Sequence, residues 1–209
     1  MVSKELSSRA RAKQAQIRSA AERLFLQNGF AATSMDAITA EAGVSKQTVY
    51  SYYPSKEELL IDVLKQLIHG LTDNLFSIRN MPLNNRDELQ QVLSDLAHQF
   101  ISTLMQTNYL ALARVIIAET PRFPKLGSLF RSSVPDQVIK SVSAILEQAN
   151  SKGLVNVTDV NAAVRMFVGP LLTYILLDGL LVTDSPPQQP DTDDVKAIVR
   201  LYMAAVASE

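Results

Sequence analysis

The sequence predicts an all-α protein, and three observations support this class. The 209 residues include only 7 Gly and 9 Pro, so few positions favour turns. Hydrophobic residues make up 47% of the chain and charged residues 20%, the ordinary balance of a folded globular protein. Apolar residues recur with the 3.6-residue period of a helix through nearly every segment. We therefore expect about nine helices joined by short connections, and no strand.

The helical segments follow from this period and from the residues that end helices. They cover about residues 17–28, 33–42, 46–52, 56–79, 89–104, 109–118, 125–151, 159–181 and 191–207. Gly29 is predicted to end the first helix as a left-handed cap, and Thr33 or Ser34 can cap the second. Ser45 caps the third in the same way. The pair Gly169–Pro170 should kink the eighth helix, because proline removes a hydrogen bond and clashes with the preceding turn.

The longest apolar stretch, Met166–Val182, is predicted to be a buried helix. It is shorter than the roughly 20 residues that a membrane span needs, and it contains Asp178. The first twenty residues are polar and charged where a secretory signal would be apolar. Together with the absence of cysteine, this predicts a cytoplasmic protein without a membrane association.

Composition argues against several kinds of chemistry. The chain has no cysteine, which excludes thiol catalysis and iron–sulfur clusters. His69 and His98 are its only histidines, which argues against a His-rich metal site. The sequence contains no nucleophile elbow, no phosphate loop and no paired carboxylates. We expect no enzyme activity, no cofactor and no metal site. A helical enzyme or carrier protein remains the alternative from another class.

Charge is distributed unevenly along the chain. Residues 1–56 carry a formal charge of +4, and the remainder carries −5. A basic module on an acidic body is the asymmetry expected when one small region meets a polyanion such as DNA. A solvated helix face is the alternative explanation of the same count.

The segment 33–53, TSMDAITAEAGVSKQTVYSYY, has the spacing of a helix–turn–helix, with two short capped helices around a glycine turn. The apolar residues expected to hold the two helices together are Ala37, Ile38, Ala42, Val44 and Val49. The residues expected to face outward are Lys46, Gln47, Thr48, Tyr50, Ser51 and Tyr52. Hydroxyl, amide and amino groups at a helix start can bind phosphates or read base edges. A surface hairpin without function is the alternative.

The run from Gly29 to Leu60 resembles the DNA-binding domain of the tetracycline-repressor (TetR) family. The matching pieces are NGF (28–30), TSMDAI (33–38), AGVSKQTVY (42–50) and YYPSKEEL (52–59). Residues 118–126, AETPRFPKL, and the helix after them resemble the AefR-like C-terminal domains of that family. The resemblance implies a three-helix DNA-binding domain at 1–55, with its helix–turn–helix at about 33–53. A helical bundle for regulation and dimerisation would follow at 56–209.

The resemblance also implies roles for individual residues. Ser34, Tyr50 and Lys56 match phosphate-contacting positions, whereas Lys46, Gln47 and Thr48 match the base-facing start of the recognition helix. The full set of expected DNA contacts is Ser34, Ser45, Lys46, Gln47, Thr48, Tyr50, Tyr52 and Lys56. Gln47 stands where the family often has glycine or proline, so no operator preference can be transferred.

One helix–turn–helix contacts too few base pairs to specify a site, so we expect a homodimer on a near-palindromic DNA operator. The resemblance implies an interface formed by the last two helices, about 159–181 and 191–207. Leu171 and Ile175 are the residues expected to hold that interface. We expect a repressor whose operator binding is relieved by a small molecule. Control by a protein partner, or by no effector, is the alternative.

The apolar helices of the second half suggest a ligand cavity bounded by the fifth to eighth predicted helices. Its expected walls are Phe100, Leu104, Tyr109, Phe167, Leu171 and Tyr174. His98 and Asp178 could orient a ligand. The effector should be apolar or amphipathic, because no dense charge cluster is available to hold a highly charged one. A filled core is the alternative to a cavity.

Overall fold

The computed structural model describes residues 8–75, 83–132 and 134–207, and every regular element in these ranges is helical, which confirms the all-α class. The α-helices are α1 (Ser8–Ala32), α2 (Met35–Ala42), α3 (Lys46–Tyr52), α4 (Lys56–Leu75), α5 (Arg86–Leu104), α6 (Thr107–Glu119), α7 (Pro124–Arg131), α8 (Val134–Ser151), α9 (Val160–Tyr174) and α10 (Thr192–Ala205). A π-helical segment, Ile175–Leu180, continues α9. The predicted end of the fourth helix, at 76–79, lies outside the described residues.

The predicted long helix at 125–151 was wrong, because two helices, α7 and α8, occupy this stretch. Each of them has a proline in its first turn, Pro124 in α7 and Pro135 in α8. Proline is tolerated there because the first N–H groups of a helix have no partner within the helix. Pro135 therefore marks a helix start and not an interior position.

Gly29 interrupts α1, as predicted, but in a different conformation. Its φ of 78° is positive, while its ψ of 165° is far from the left-handed helical region that was expected. Only glycine adopts this combination readily, so the break requires a residue without a side chain.

The chain forms two compact units. One comprises the residues up to His69 together with Val115–Gly127, and the other comprises Gly70–Arg114 and the residues from Ser128 onward. We call them the N-terminal unit and the C-terminal unit. They are defined by packing, so the functional boundary expected between residues 55 and 56 stays a prediction. The segment Val115–Gly127 joins the N-terminal unit although it lies far along the chain.

The core of the N-terminal unit contains an aromatic stack. The ring of Phe30 lies 5.5 Å from that of Phe25 and 5.5 Å from that of Phe123, measured between centroids. Phe123 comes from the distant segment, and it meets Phe30 edge to face. Such aromatic pairs contribute about 0.5–1.5 kcal/mol beyond the area that they bury.

The C-terminal unit has one contiguous hydrophobic core, to which α5, α6, α8, α9 and α10 contribute. The inward face of α9 includes Phe167, and α10 contributes Tyr202. Their rings meet at 5.2 Å between centroids, nearly edge to face. The prediction that Met166–Val182 is a buried helix was wrong, since only one side of this stretch is packed. The exposed side is described with the interfaces below.

The same stretch departs from the sequence prediction in length and in regularity. By length and composition alone Val160–Leu180 could cross a membrane, with a mean hydropathy of 1.6, although the cores of other proteins contain similar helices. Helix α9 continues through Pro170, where a kink was predicted. The change in hydrogen bonding comes later, in the π-helical segment. There the guanidinium of Arg114 on α6 donates to the carbonyls of Gly179, Leu180 and Val182 at 2.7–2.8 Å. These bonds satisfy carbonyls that have no helical partner.

Candidate nucleic-acid interface and dimer surface

The helix–turn–helix is defined by its caps. Ser34 Oγ accepts a hydrogen bond from the Ala37 amide at 3.1 Å at the start of α2, and Ser45 Oγ accepts one from the Thr48 amide at 3.2 Å at the start of α3. Gly43 ends α2 in the left-handed conformation, with φ 61° and ψ 35°. Of the two predicted caps for α2, Ser34 is therefore the one used.

Thr33, the other predicted cap of α2, bonds to carbonyls of α1 instead. Its side chain is buried, and Oγ1 lies 2.8 Å from the Gly29 carbonyl and 3.1 Å from the Leu24 carbonyl, to which it donates. The hydroxyl therefore closes the turn between α1 and α2 from the inside.

The two helices are held by fewer apolar residues than predicted. Ile38, Ala42 and Val49 are buried, as expected for contacts that hold the pair. Val44 is only half-buried, and Ala37 is exposed, so the prediction for Ala37 was wrong. Ala37 lies in the first turn of α2, where its amide donates to Ser34, and its methyl group faces away from the core.

Helix α3 presents a polar surface around one apolar anchor. Val49 is completely buried, whereas Lys46, Gln47 and Tyr50 are exposed. Ser51 is also exposed, and Tyr52 and Thr48 are half-buried. The hydroxyls of Ser45 and Thr48 lie 2.7 Å apart and bond to each other.

Four of the predicted DNA contacts line one open depression of about 410 Å³. They are Ser34, Lys46, Tyr50 and Lys56. Their side chains come from three helix starts and from α3, so they lie far apart in sequence but close together in the fold. The other four expected contacts, Ser45, Gln47, Thr48 and Tyr52, lie outside this depression.

An acidic side chain that was missed as a site residue lies in the same depression. Asp36 Oδ1 lies 2.6 Å from Lys46 Nζ, and both side chains are exposed. The hydrogen bond to Asp36 raises the pKa of Lys46, and the attraction between the two charges acts in the same direction. As an acidic residue in the first turn of α2, Asp36 also suits the positive end of the helix dipole. Its pairing with Lys46 connects two helices and has no signature in the local sequence.

Lys56, at the start of α4, is directed into the protein. Its Nζ donates to the carbonyls of Phe30 and Thr33, both at 2.7 Å. The ammonium group also lies 4.3 Å from the centroid of the Phe30 ring, in cation–π contact. The phosphate contact that the resemblance implies for Lys56 stays a prediction.

The predicted dimer helices expose one apolar face, which we call the leucine face. Its members are Met166, Leu172, Leu176, Leu177, Leu181 and Leu201, all of them exposed in the single chain. Two of these residues, Met166 and Leu201, also line a groove of about 220 Å³, together with Pro170, Ile198, Tyr202 and Ala205. Leu171 and Ile175, chosen from the sequence as interface residues, are 0% and 7% exposed. They belong to the core of the C-terminal unit, so that choice was wrong.

The residues predicted to line a ligand cavity mostly share one core. Phe100, Leu104, Tyr109, Phe167 and Leu171 are buried in the hydrophobic cluster of the C-terminal unit, and Tyr174 packs against it. Burial raises the pKa of Tyr109. Asp178 is half-buried in the π-helical segment. Whether this region opens into a cavity stays a prediction.

His98 has an unused hydrogen-bonding atom. Its Nδ1 lies 2.7 Å from the Ser94 carbonyl, so Nδ1 carries the proton and donates. Nε2 is buried and has no hydrogen-bond partner among the residues that the structure describes. In the neutral ring this nitrogen is an acceptor, and a donor on a ligand could satisfy it.

Two family models match the chain. The model described as "Bacterial regulatory proteins, tetR family" matches residues 17–63, which include α2 and α3. The model described as "AefR-like transcriptional repressor, C-terminal domain" matches residues 91–207, more than half of the chain.

Individual relatives agree with these models. The uncharacterized HTH-type transcriptional regulator Mb1581 of Mycobacterium bovis is 29% identical over 177 residues, which cover 85% of this chain and 79% of that protein. The solved structure of the flavonoid-responsive regulator FrrA is 31% identical, with a TM-score of 0.71 and coverage of 95% of this chain and 98% of that one. A TetR transcriptional regulator from Agrobacterium tumefaciens, 21% identical, shares the fold with a TM-score of 0.77 over 95% of this chain and 96% of that one. The family models, the relatives and the capped helix pair α2–α3 agree with one another. The chain is a DNA-binding transcriptional regulator of the TetR family.

Proposed function

We propose that this protein is a homodimeric repressor that binds a near-palindromic operator and leaves it when a small apolar or amphipathic molecule binds. The observation that carries the DNA-binding part is the polar exposed surface of α3 around the buried Val49. The description of the matching C-terminal model as that of a repressor supports the direction of regulation. The cytoplasm, where operator DNA is found in bacteria, is the proposed location.

The leucine face supports the dimer. Leu177 is 57% exposed, Leu181 64% and Leu201 74% in the single chain. Large apolar side chains grouped on one surface mark an interaction site, because monomeric proteins rarely leave such patches open to water. A second copy related by a two-fold axis would cover this face and bring two recognition helices to successive half-sites.

The core of the C-terminal unit supports an apolar effector. Aromatic and aliphatic side chains form this core. His98 Nε2 adds one hydrogen-bond acceptor that a ligand could use. FrrA, which is flavonoid-responsive by name, supports a hydroxylated aromatic compound as the first class to test. To reverse a population from 1:99 to 99:1, the effector needs about 5.5 kcal/mol of preference for the state that does not bind DNA.

The DNA-binding part is tested by fluorescence anisotropy with the labelled DNA upstream of the protein's own gene. We expect saturable binding that survives an excess of unrelated DNA. The variant Gln47→Ala should change which base substitutions the complex tolerates, and Gln91→Ala, an exposed glutamine on α5, should not. Equal affinity for upstream and unrelated DNA would contradict sequence-specific regulation.

The effector part is tested separately by adding a hydroxylated flavone to the preformed complex. We expect release of DNA together with a higher melting temperature of the free protein, since a ligand stabilises the state that it binds. Phe100→Ala and Tyr174→Ala should weaken both effects. Stabilisation without release would leave DNA binding intact as the function and contradict ligand control by this class of compound.

A further inference from the structure

The π-helical segment Ile175–Leu180 has wider turns than the α-helix that it continues. The amide of Leu181 donates to the carbonyl of Leu176, five residues earlier, at 3.0 Å. The buried residues on the inward side recur at every fourth position: Phe167, Leu171, Ile175 and Gly179. A regular α-helix has 3.6 residues per turn, so a constant spacing of four would drift away from the core. The wider turn keeps Gly179 on the inward side.

The same winding determines where the last leucine of this stretch lies. Leu172 and Leu181 are nine residues apart, which is about two and a half turns of an α-helix. A regular helix would therefore place them on opposite sides. The wider turns between Ile175 and Leu180 rotate Leu181 back towards the side of Leu172, and both side chains are exposed. The leucine face thus reaches Leu181 because this segment is π-helical.

Arg114 on α6 holds the end of the π-helical segment. Its Nε donates to the Leu180 carbonyl at 2.8 Å, and its Nη2 donates to the carbonyls of Gly179 and Val182 at 2.8 and 2.7 Å. The planar guanidinium fixes the directions of these donors, and its charge makes each bond stronger than one between neutral groups. The segment also lies close to α6, since a Cβ on Gly179 would be 3.1 Å from Leu110 Cδ2. Arg114 and the small Gly179 therefore fix the segment against α6.

We propose that Arg114 is a positioning residue for dimerisation, which holds the π-helical winding and thereby places Leu181 on the leucine face. Arg114 itself is half-buried, and its guanidinium is bonded to three carbonyls of its own chain. It therefore acts through the leucines and not as a contact to the second copy. This role rests on the proposed homodimer, and it is independent of repression and of any effector.

A lysine at position 114 separates the geometry of the guanidinium from its charge. Lysine keeps the positive charge, but its ammonium group donates from one atom and lacks the planar fork that reaches three carbonyls. We expect Arg114→Lys to weaken the dimer about tenfold, which is the effect of one hydrogen bond to a charged group. The variant should keep its helical content, because the inward residues of α9 are unchanged.

The experiment compares Arg114→Lys, Leu181→Ala and the double variant in the full chain. Sedimentation equilibrium well below the melting temperature gives the Kd of each dimer, and Arg131→Lys, at an exposed arginine on α7, is the matched control. Both single changes should weaken the dimer, and Leu181→Ala should cost much less in the Arg114→Lys background than in the original chain.

The possible failures are distinct. If Leu181→Ala weakens the dimer and Arg114→Lys does not, or if the two effects are additive, Arg114 does not act through Leu181 and the positioning role is wrong. A role in folding alone would lower the melting temperature without this coupling. If Leu181→Ala leaves the dimer unchanged, the end of the leucine face is not part of the interface, which contradicts the proposed dimer surface there and the role of Arg114 with it.

A measurement on the unaltered chain covers the case in which Arg114→Lys fails to fold. The exchange of the Arg114 Nε proton with water, followed by NMR, reports its bond to the Leu180 carbonyl. The exchange of the Leu181 amide reports the π-helical bond to Leu176. We expect both protons to exchange slowly in the dimer. Exchange of the Nε proton as fast as in a free arginine, with the Leu181 amide still protected, would show that the winding persists without Arg114 and would overturn the proposal.

Discussion

The α2–α3 pair and the α9–α10 region both expose long side chains, but of opposite character. Around Val49 the exposed residues are polar, and each helix of the pair is capped by its own serine. On the leucine face the exposed residues are apolar, and the capping bonds come instead from Arg114 on another helix. The first surface is polar, so it is stable in water in a single chain and can bind a polar partner. The second leaves apolar area in water, which is why we propose that a second copy of the chain covers it.

The largest expected effect contrasts the two sides of α9 and its π-helical continuation. Leu171→Glu should unfold the C-terminal unit, because it places a charge in a fully buried position without a partner. Leu176→Glu with Leu177→Glu should leave the unit folded, since both side chains are exposed. This double variant should sediment as a monomer and bind operator DNA at least about a hundredfold more weakly, because the two recognition helices are no longer linked.

Circular dichroism and sedimentation velocity distinguish these outcomes. A folded Leu171→Glu variant would show that the inward side of α9 is assigned wrongly. If the Leu176→Glu, Leu177→Glu variant still forms a tight dimer, the leucine face is not the dimer interface. The contrast drawn between the two surfaces would then be wrong.

On the DNA-reading side, Gln47→Ala should cost roughly 1–3 kcal/mol of operator binding if the amide makes a bidentate contact to a base. The loss should be concentrated at one base pair of each half-site, because this side chain is exposed at the start of α3. The measurement is binding to a set of operators with single substitutions. A uniform loss across all operators would assign Gln47 to the DNA backbone.

A smaller effect is expected from Asp36→Asn. The carboxylate of Asp36 pairs with Lys46 in the depression that is expected to meet phosphate. Its removal frees Lys46 and deletes a repelling charge, so binding to unrelated DNA should tighten several-fold at low salt and less at high salt.

Glu41→Gln is the matched control for this change, since Glu41 is also an exposed acid on α2 and pairs with Arg23 at 2.8 Å. Titrations of unrelated DNA at two salt concentrations measure the effect. Weaker binding by Asp36→Asn, or equal gains for both variants, would show that the Asp36–Lys46 pair has no special role.

The smallest effect concerns Tyr202, beside the leucine face. Its hydroxyl is buried and has no hydrogen-bond partner within the described part of the chain, and burial raises its pKa to about 12. Tyr202→Phe removes a polar atom that has no hydrogen bond, so the free energy of unfolding should stay within about 1 kcal/mol or increase slightly. Thermal melts of both proteins at equal concentration measure this. A clear destabilisation would mean that the hydroxyl gains a partner in the dimer.

The two regions also differ in how well sequence alone predicts them. The caps and turn of α2 and α3 depend on serine and glycine at short, fixed offsets. The sequence therefore predicted Ser45 as the cap of α3, a glycine turn between the helices, and Ser34 as one of two possible caps of α2. The inward side of α9 could not be predicted, because a helix that is apolar all around has no periodic face. The interface was therefore placed on Leu171 and Ile175, beside the residues that are exposed.

Contacts between distant segments were the other source of error. The pairing of Asp36 with Lys46 and the bonds from Lys56 to the turn depend on how helices meet, which local spacing does not encode. The same holds for the contact of Phe123 with Phe30. The separate helix α7 was missed for a local reason, since Pro135 in a first turn was taken as part of a continuous helix.

The discontinuous N-terminal unit has a consequence for how the chain is made. During synthesis α1 to α3 emerge from the ribosome first, but Phe30 meets Phe123 only after the segment Val115–Gly127 has also emerged. Closing such a long loop costs chain entropy before the contact can form. The N-terminal unit is therefore expected to complete its folding late, although most of it is synthesised early. A shortened gene product that ends at His69 contains the whole helix–turn–helix and lacks part of its core. We therefore expect such a chain to be less stable than the complete N-terminal unit, because it lacks the contact between Phe30 and Phe123.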